Sequence, residues 1–230
     1  FPALLVALAD GNAPDGRARF AAPAYRPVAE ARDARFPVSL TTGRLRDQWH
    51  SMSRTGTIAG LFAHEPEPRV MVHPEDLARF GVKEFELAKI TSRRGHVFMQ
   101  AAADPDVAPG TVFAPMHWGA RFLRGAGRRG INELTLAALD PSSRQPELKH
   151  CAVSVEAAQL PWRLVAFGCA GFDAVEKFMQ ATPFAVRTLI GRERQGVRLA
   201  LAAKEPPSAR LLGEIDAAFG LDAEDVVHMG

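Results

Sequence analysis

The sequence predicts a mainly β fold with some α-helix, in which a closed β-barrel is followed by a small α+β extension. Short runs rich in β-branched and aromatic residues recur between residues 36 and 157, separated by turn signals, which is typical of a barrel. After Pro161, strand-like runs are joined by two runs with apolar residues at helical spacing. Hydrophobic residues make up 47% of the 230 residues and charged residues 23%, which is typical of a folded globular protein.

The same changes of pattern predict the domain boundaries. Residues 1–35 contain several Gly and Pro residues and little periodicity, so we expect an irregular lead-in from an upstream domain, with no independent fold. The barrel is predicted over residues 36–160. Residues 161–230 are predicted to form the small α+β extension and to be truncated.

Short motifs assign most elements of the barrel range. The run Phe36–Thr42 alternates and meets Gly43, which indicates a strand followed by a turn. Pro74 suits the first position of a short helix, and Gly81 closes it. Further strands are predicted in RVMVH from Arg69, FELAKITS from Phe85, HVFMQAAA from His96, TVFAPMHW from Thr111 and HCAVSVEA from His150.

The extension combines both kinds of element. The runs WRLVAFG from Trp162 and VRLALAA from Val197 are predicted to be strands. The runs FDAVEKFMQ from Phe172 and SARLLGEIDAAFG from Ser208 are predicted to be helices, because their apolar residues recur at helical spacing. The final run, VVHMG, is predicted to be a strand.

Charge and cysteine content bear on partners and compartment. The formal net charge is only +2, so we expect no nucleic-acid partner. The apolar segment at residues 1–9 is too short to span a bilayer, and we expect no membrane partner. Cys151 and Cys169 are the only cysteines, which favours a reducing compartment and a cytoplasmic protein over a disulfide scaffold.

The most informative candidate site is the stretch from Thr41 to Gly56, TTGRLRDQWHSMSRTG. It places hydroxyl groups, arginines, an indole and an imidazole in a loop after a predicted strand, which suits an anion. Its glycine lets backbone N–H groups approach a phosphate closely, and its rings can pack on a heterocycle. A solvated, capped loop without a ligand is the alternative. The candidate contacts are Thr42, Gly43, Arg44, Trp49, His50, Ser51 and Arg54.

A second candidate stretch, Ile131–Glu156, surrounds a crossover interrupted by prolines. Asn132 can bind the edge of a heterocycle through its donor and acceptor, and Lys149 can hold a phosphate, although a surface lysine is the alternative. His150 and Cys151 are adjacent on a predicted strand. Their side chains therefore point to opposite faces, which argues against a metal site, and we expect Cys151 in the core.

Three features in this order resemble the C-terminal molybdopterin dinucleotide-binding domain of the molybdopterin oxidoreductases, most closely that of assimilatory nitrate reductase catalytic subunits. They are ADGNAPDGRARF in the lead-in, the loop TGRLRDQWHSMSRTG, and the block NELTLAALDPSSRQPELKHCAV. The resemblance covers roughly residues 8–160. The segment from WRLVAFG onward, including GRERQGVRLALAA, resembles the extension that follows this domain in those enzymes.

The resemblance implies a double-psi β-barrel that closes over bis-molybdopterin guanine dinucleotide with molybdenum, in an oxidoreductase that reduces nitrate to nitrite. Trp118 then falls at the substrate funnel, and the Arg-rich loop 119–130 is a candidate to attract nitrate or simply a solvated loop. No catalytic residue or metal ligand is expected here, because the molybdenum- and cluster-binding cysteines belong to N-terminal segments. The implied cofactor contacts are Thr42, Gly43, Arg44, Leu45, Arg46, Asp47, Gln48, Trp49, His50, Ser51, Asn132 and Lys149.

The resemblance also implies partners: the N-terminal domains of the same polypeptide, nitrate, an unidentified electron donor, and an iron–sulfur cluster in the parent enzyme. The chain is not expected to be active alone. It departs from the family at Phe85 and Glu86, where a Gly-Asp turn is usual. Two alternatives stay open: the equivalent domain of a formate dehydrogenase or another molybdopterin oxidoreductase, and a non-catalytic β-barrel binding module.

Overall fold

A computed structural model describes residues 5–7, 19–21, 24–125, 127–141, 144–147, 149–181 and 185–220. The chain divides into two compact units, residues 1–31 and residues 32–230. In the first unit, strands β1 (Leu5–Ala7) and β2 (Arg19–Ala21) pair antiparallel. The expectation of an irregular lead-in is therefore wrong for these two segments, which are too short to show a strand period in the sequence.

The second unit contains the remaining strands and helices. The strands are β3 (Val38–Gly43), β4 (Arg69–Val72), β5 (Leu87–Thr91), β6 (His96–Ala103), β7 (Thr111–Pro115), β8 (Leu123–Gly125), β9 (His150–Ala157), β10 (Trp162–Gly168), β11 (Arg187–Glu193) and β12 (Gly196–Ala203). The α-helices are α1 (Ala59–Phe62), α2 (Pro74–Phe80), α3 (Phe172–Ala181) and α4 (Ala209–Phe219). Turns of 3₁₀ helix cover His50–Met52, Thr55–Thr57 and Gly130–Glu133.

Six strands close into a barrel in the order β3-β7-β4-β6-β5-β9. The pairs β3–β7 and β4–β6 are parallel, and the other pairs are antiparallel. Along β3, Val38, Leu40 and Thr42 alternate with less buried residues, and the two aliphatic side chains are almost fully buried. Burying such a side chain contributes about 1.5–3 kcal/mol. The prediction of a mainly β fold with a closed barrel is confirmed.

Helix α2 begins and ends where the sequence predicts. Pro74 occupies its first turn, and the His73 side chain accepts a hydrogen bond from the Glu75 N–H at 3.3 Å. Gly81 closes the helix with φ of 64°, a left-handed conformation that glycine adopts without a Cβ clash. The capping signals thus predict this helix well.

The extension is built on a second sheet, in the order β10-β12-β11-β8, against which α3 and α4 pack. Strands β10 and β12 and both helices confirm the predictions. The strand predicted in the final run, VVHMG, lies outside the described residues. The apolar cluster of the extension also contains Met52, Phe62 and Phe122, which belong to the barrel range of the sequence. The extension therefore packs directly on segments that follow β3 and β7.

Two strands of this sheet escape the sequence analysis. The loop predicted at residues 119–130 contains β8, which pairs with β11, so that prediction is wrong for Leu123–Gly125. Three residues are too few to show a period. In β11, the charged residues of the run RTLIGRE hide the strand pattern. Arg187 is buried although it is charged, because it pairs with Glu67 at 2.9 Å. None of the helices within the described residues is long and apolar enough to cross a membrane.

The turn before β5 holds a bulky residue in a left-handed conformation. Phe85 has φ of 64°, and its backbone N–H donates to the Ala101 carbonyl at 2.8 Å. A non-glycine residue in this conformation costs about 1–2 kcal/mol, and the ring is 54% exposed, so packing offsets little of that cost. The turn is therefore strained at Phe85, where the family that the sequence resembles usually has the glycine of a Gly-Asp turn.

We expect Phe85→Gly to raise the free energy of unfolding by about 0.5–1 kcal/mol, because glycine relieves the strain but gains more freedom in the unfolded chain. Urea denaturation measures the change. The matched control is Phe85→Ala, which removes the same ring but keeps a Cβ, and which should not stabilise. Equal changes in the two variants would contradict this explanation.

Candidate functional site

The candidate site lies at one rim of the barrel, where β3 and β7 end and the neighbouring strand β9 begins. Gly43, the last residue of β3, is paired with Pro115, the last residue of the parallel strand β7. Thr41 is paired with His150, the first residue of the antiparallel strand β9, which follows Lys149 directly. The two candidate stretches, separated by about a hundred residues in the sequence, therefore meet at the same rim.

Thr42 carries a buried hydroxyl group at this rim. The residue is 5% exposed, and its Oγ1 has no hydrogen-bond partner among the residues that the structure describes. Buried polar groups in native proteins are nearly always paired, so such a hydroxyl requires an explanation. A hydroxyl group can donate a hydrogen bond and accept others, so Thr42 is a candidate to contact a polar ligand at the rim.

The residues that follow β3, which we call the rim loop (residues 44–52), are anchored by Gln48. Its Nε2 donates to the Leu61 carbonyl at 3.1 Å, and its Oε1 accepts from the Thr55 hydroxyl at 2.6 Å. The residue is only 4% exposed. Both polar ends of this side chain are thus bonded within the protein. Gln48 therefore fixes the rim loop to the residues packed on its inner side.

The outer side of the rim loop presents a cation on an aromatic ring. The Arg44 guanidinium lies 4.8 Å from the centroid of the Trp49 ring, which is 50% exposed. The His50 ring meets Trp49 edge-on at 4.5 Å. A guanidinium can bind phosphate oxygens bidentately, and an exposed indole can pack on a heterocycle. This surface therefore suits a ligand that has both a phosphate and a heterocycle.

Three consecutive residues of the rim loop have left-handed backbone conformations. His50, Ser51 and Met52 have φ values of 40°, 54° and 56°, and none of them is glycine. The Met52 side chain is fully buried, which holds the strained turn in place. His50 and Ser51 remain exposed. Strain of about 1–3 kcal/mol per residue persists only where the surrounding structure enforces it.

An ion-pair chain crosses the middle of the loop. Asp47 accepts hydrogen bonds from Arg46 at 2.9 Å and contacts the His64 ring at 2.8 Å. The bond from Arg46 is the largest cause that lowers the pKa of Asp47, and the bond from His64 is the next. Arg46 is itself 83% exposed, so this pair contributes little to stability.

His117 contacts the rim loop, and the sequence analysis did not select it. It follows β7, is 6% exposed, and accepts the Leu45 backbone N–H at Nε2 over 3.2 Å. Burial is the main cause that lowers the pKa of His117, and the positive charge of Arg44 lowers it further. The ring is therefore neutral near pH 7, with its proton on Nδ1. His117 lies in the run TVFAPMHW, which was predicted to be a strand and gave no sign of a contact with the loop after β3.

Trp118 and Asn132 lie on either side of a close backbone contact. Trp118 is 3% exposed and packs against the rings of Phe62 and Phe122 at 5.5 and 5.9 Å. Gly130 has φ of 63°, and a Cβ on it would overlap the Trp118 carbonyl oxygen. The 3₁₀ helix that starts at Gly130 carries the exposed Asn132. This contact thus places Asn132 near the chain that leaves the rim.

In the parts of the chain that the structure describes, no group of three or more His, Cys, Asp or Glu side chains is arranged to hold a metal ion. Cys151 is fully buried in the barrel core, as expected, and His150 points a ring nitrogen towards the Ser39 hydroxyl at 3.4 Å. The exposed cations Arg44 and Lys149 and the Thr42 hydroxyl are the groups of the rim that suit an anion.

Comparison with known proteins gives a family. The family model "Molydopterin dinucleotide binding domain" matches residues 38–152, which is half of the chain. A nitrate reductase of Klebsiella oxytoca is 40% identical over 149 residues, covering 65% of this chain and 17% of that protein. A nitrate reductase of Synechocystis is 42% identical over 141 residues, covering 61% of this chain and 19% of that protein.

A relative with lower sequence identity is a formate dehydrogenase subunit. The F420-dependent formate dehydrogenase 1 subunit alpha of Methanococcus maripaludis is 34% identical over 143 residues, covering 62% of this chain and 20% of that protein. The chain thus spans about a fifth of the length of the curated relatives it matches. Because the matched family model begins at β3 and ends within β9, it covers the barrel and the rim. The chain belongs to the molybdopterin dinucleotide-binding domain family.

Proposed function

We propose that this chain is the C-terminal cofactor-binding part of a molybdenum nitrate reductase, and that the full-length enzyme reduces nitrate to nitrite. The family assignment supports the cofactor, and the nitrate reductases that share 38–42% identity with the chain support the substrate. The observation that carries the proposal is the convergence at one barrel rim of Arg44, Lys149 and the Thr42 hydroxyl, which has no partner among the described residues. Bound bis-molybdopterin guanine dinucleotide would supply the redox chemistry, through its molybdenum.

The residues of the rim fit such a ligand in charge and in shape. Arg44 and Lys149 are exposed cations for the phosphate oxygens, and the Thr42 hydroxyl gains a partner when a polar group enters. Trp49 offers a ring surface to a heterocycle, and Asn132 offers a donor and an acceptor to its edge. The remaining residues proposed for the site are Gly43 at the end of β3 and, in the rim loop, Leu45, Arg46, Asp47, Gln48, His50 and Ser51.

Within this set the residues divide into two tasks. Gln48 and Met52 keep the loop in one shape, since both side chains are buried inside the protein. Arg44 and Trp49 face outward and make the contacts with the ligand. A loop that is ordered before binding loses less conformational entropy when the cofactor arrives.

Trp118 takes a different place in the proposal. It is buried behind Phe62 and Phe122, so we propose that it supports the wall of the substrate funnel from within. The barrel is proposed to be of the double-psi type, which the two parallel pairs β3–β7 and β4–β6 inside a closed six-stranded barrel support. The domain limits at residues 36–160 and 161–230 remain part of the proposal.

The rest of the enzyme follows from the same proposal. The N-terminal domains of the polypeptide would supply the molybdenum ligand and an iron–sulfur cluster that receives electrons from an unidentified donor in the cytoplasm. This chain contributes binding, orientation and electrostatics, because positive groups around an anionic cofactor offset the cost of taking its charge out of water.

The test is an activity assay on the full-length protein purified with its cofactor. We expect nitrate-dependent oxidation of a reduced viologen dye with formation of nitrite, and no formate-dependent reduction of the oxidised dye. The 34% identity to a formate dehydrogenase subunit makes formate oxidation the second candidate. Formate oxidation without nitrate reduction would show that the substrate is formate, not nitrate. A full-length protein that contains no molybdenum would contradict the proposal and favour a non-catalytic binding module.

A further inference from the structure

We propose that His117 is the positioning residue of the rim loop, which it holds by accepting the Leu45 N–H at Nε2, and that protonation of this nitrogen releases the loop. The inference deepens the proposed function and rests on it for the identity of the ligand. The hydrogen bond, the burial of the ring and its place beside the loop carry the inference.

The barrel register explains why His117 meets the loop. Gly43 and Pro115 are paired at the ends of the parallel strands β3 and β7, and the Met116 N–H donates to the Gly43 carbonyl at 2.9 Å. The segments that follow β3 and β7 then leave the rim side by side. Leu45 and His117 each lie two residues after the end of their strand, and this brings the His117 ring to the Leu45 N–H. The φ of 93° at His117 turns its ring towards the loop instead of continuing the strand.

A protonated imidazole cannot hold this contact. Both of its ring nitrogens carry hydrogen, so Nε2 no longer accepts the Leu45 N–H, and the ring becomes a second cation near Arg44. Because burial and Arg44 lower the pKa of His117 below its ordinary value of 6.5, the unfolded chain takes up the proton first as the pH falls. The stabilisation is therefore complete above pH 6.5 and is lost below it.

Other charged or titratable groups also surround the loop. His64 contacts the loop through the Asp47 carboxylate, at 2.8 Å. Among the described residues, further charged or titratable groups on neighbouring elements are Arg46 and His50 on the loop, Arg121 and Arg128 in the segment after β7, Arg129 and Glu133 at the 3₁₀ helix, and Lys149 and His150 at the start of β9.

The test follows backbone amide exchange of the peptide that contains Leu45, in the full-length protein between about pH 5 and pH 8. In the wild type we expect protection, corrected for the intrinsic pH dependence of exchange, to fall as the pH drops below 6.5. In His117→Ala, protection should be about tenfold lower at every pH, since the acceptor is missing. In His117→Gln, whose side-chain oxygen accepts but does not titrate, protection should be retained and independent of pH.

The matched control is His64→Ala, which should keep the pH dependence of the wild type. A pH response in His117→Gln as large as in the wild type, or no response in the wild type, would overturn the inference. Molybdenum retention after gel filtration at low pH is the second readout, with the same expected order of variants. If the loop responds as expected but the protein contains no molybdenum at any pH, the proposed function fails while the role of His117 stands.

Discussion

Replacing Glu67 with alanine is expected to lower the free energy of unfolding by about 3–5 kcal/mol, because it leaves a buried guanidinium without its counter-charge. Glu67 accepts from Arg187 at 2.9 Å and lies 3.6 Å from Arg198. The Arg187 side chain is 5% exposed, and its one other hydrogen bond among the described contacts goes to the Phe98 carbonyl at 3.2 Å. Burial lowers the pKa of Arg187, and Glu67 opposes that effect.

This ion pair joins the extension to the barrel. Arg187 and Arg198 lie on β11 and β12, Phe98 lies on β6, and Glu67 precedes β4. Denaturant unfolding of the full-length protein measures the loss. The matched control is Glu193→Ala, which removes a more exposed carboxylate 3.8 Å from the same Arg198 and should cost less than about 1 kcal/mol. Similar losses in both variants would show that the buried pair has no special weight.

Gly130→Ala is expected to lower the free energy of unfolding by about 2–4 kcal/mol, from left-handed strain and from overlap with the Trp118 carbonyl. Gly130 has φ of 63°, and the overlapping atom belongs to the backbone, so it cannot move aside as a flexible side chain does. The 3₁₀ helix must then shift away from Trp118. Because this helix carries Asn132, we also expect weaker retention of the cofactor.

The control for this variant is Gly213→Ala within α4. Gly213 has no atom within 4 Å of the position of an added Cβ, and glycine is a poor residue inside a helix. That substitution should stabilise the protein by about 0.5–1 kcal/mol. Thermal unfolding distinguishes the two variants. A Gly130→Ala protein as stable as the wild type would show that the contact between the 3₁₀ helix and Trp118 is loose.

The elements that sequence analysis predicted well are those with strong local signals. Helix α2 has Pro74 and Gly81 at its ends, and β3 has clear alternation before Gly43. Strand β11 escaped prediction because the buried Arg187 breaks the apolar pattern, and its partner Glu67 is 120 residues away in the sequence. No local pattern reports such a distant pairing. The three-residue strand β8 exists only because β11 provides a neighbour to pair with.

The candidate site was predicted in part, for similar reasons. The rim loop and Lys149 were chosen for their chemistry and their resemblance to a family, and the barrel register brings them to one rim. Whether Gln48 faces the ligand or the protein depends on contacts with Thr55 and Leu61 that the sequence does not display. His117 was not predicted because its role depends on a hydrogen bond from the Leu45 N–H, and Leu45 follows β3, a different strand from the one that precedes His117.

The most direct test of the cofactor site is the molybdenum content of the purified full-length protein, measured per polypeptide for the wild type, Arg44→Ala and Lys149→Ala. We expect a loss of severalfold or more in each variant, because a charge-assisted contact contributes about 1.5–3 kcal/mol. The controls are Arg210→Ala and Lys177→Ala, exposed residues of the extension that should retain full loading. Full molybdenum loading in both rim variants would contradict the assignment of this rim as the cofactor site.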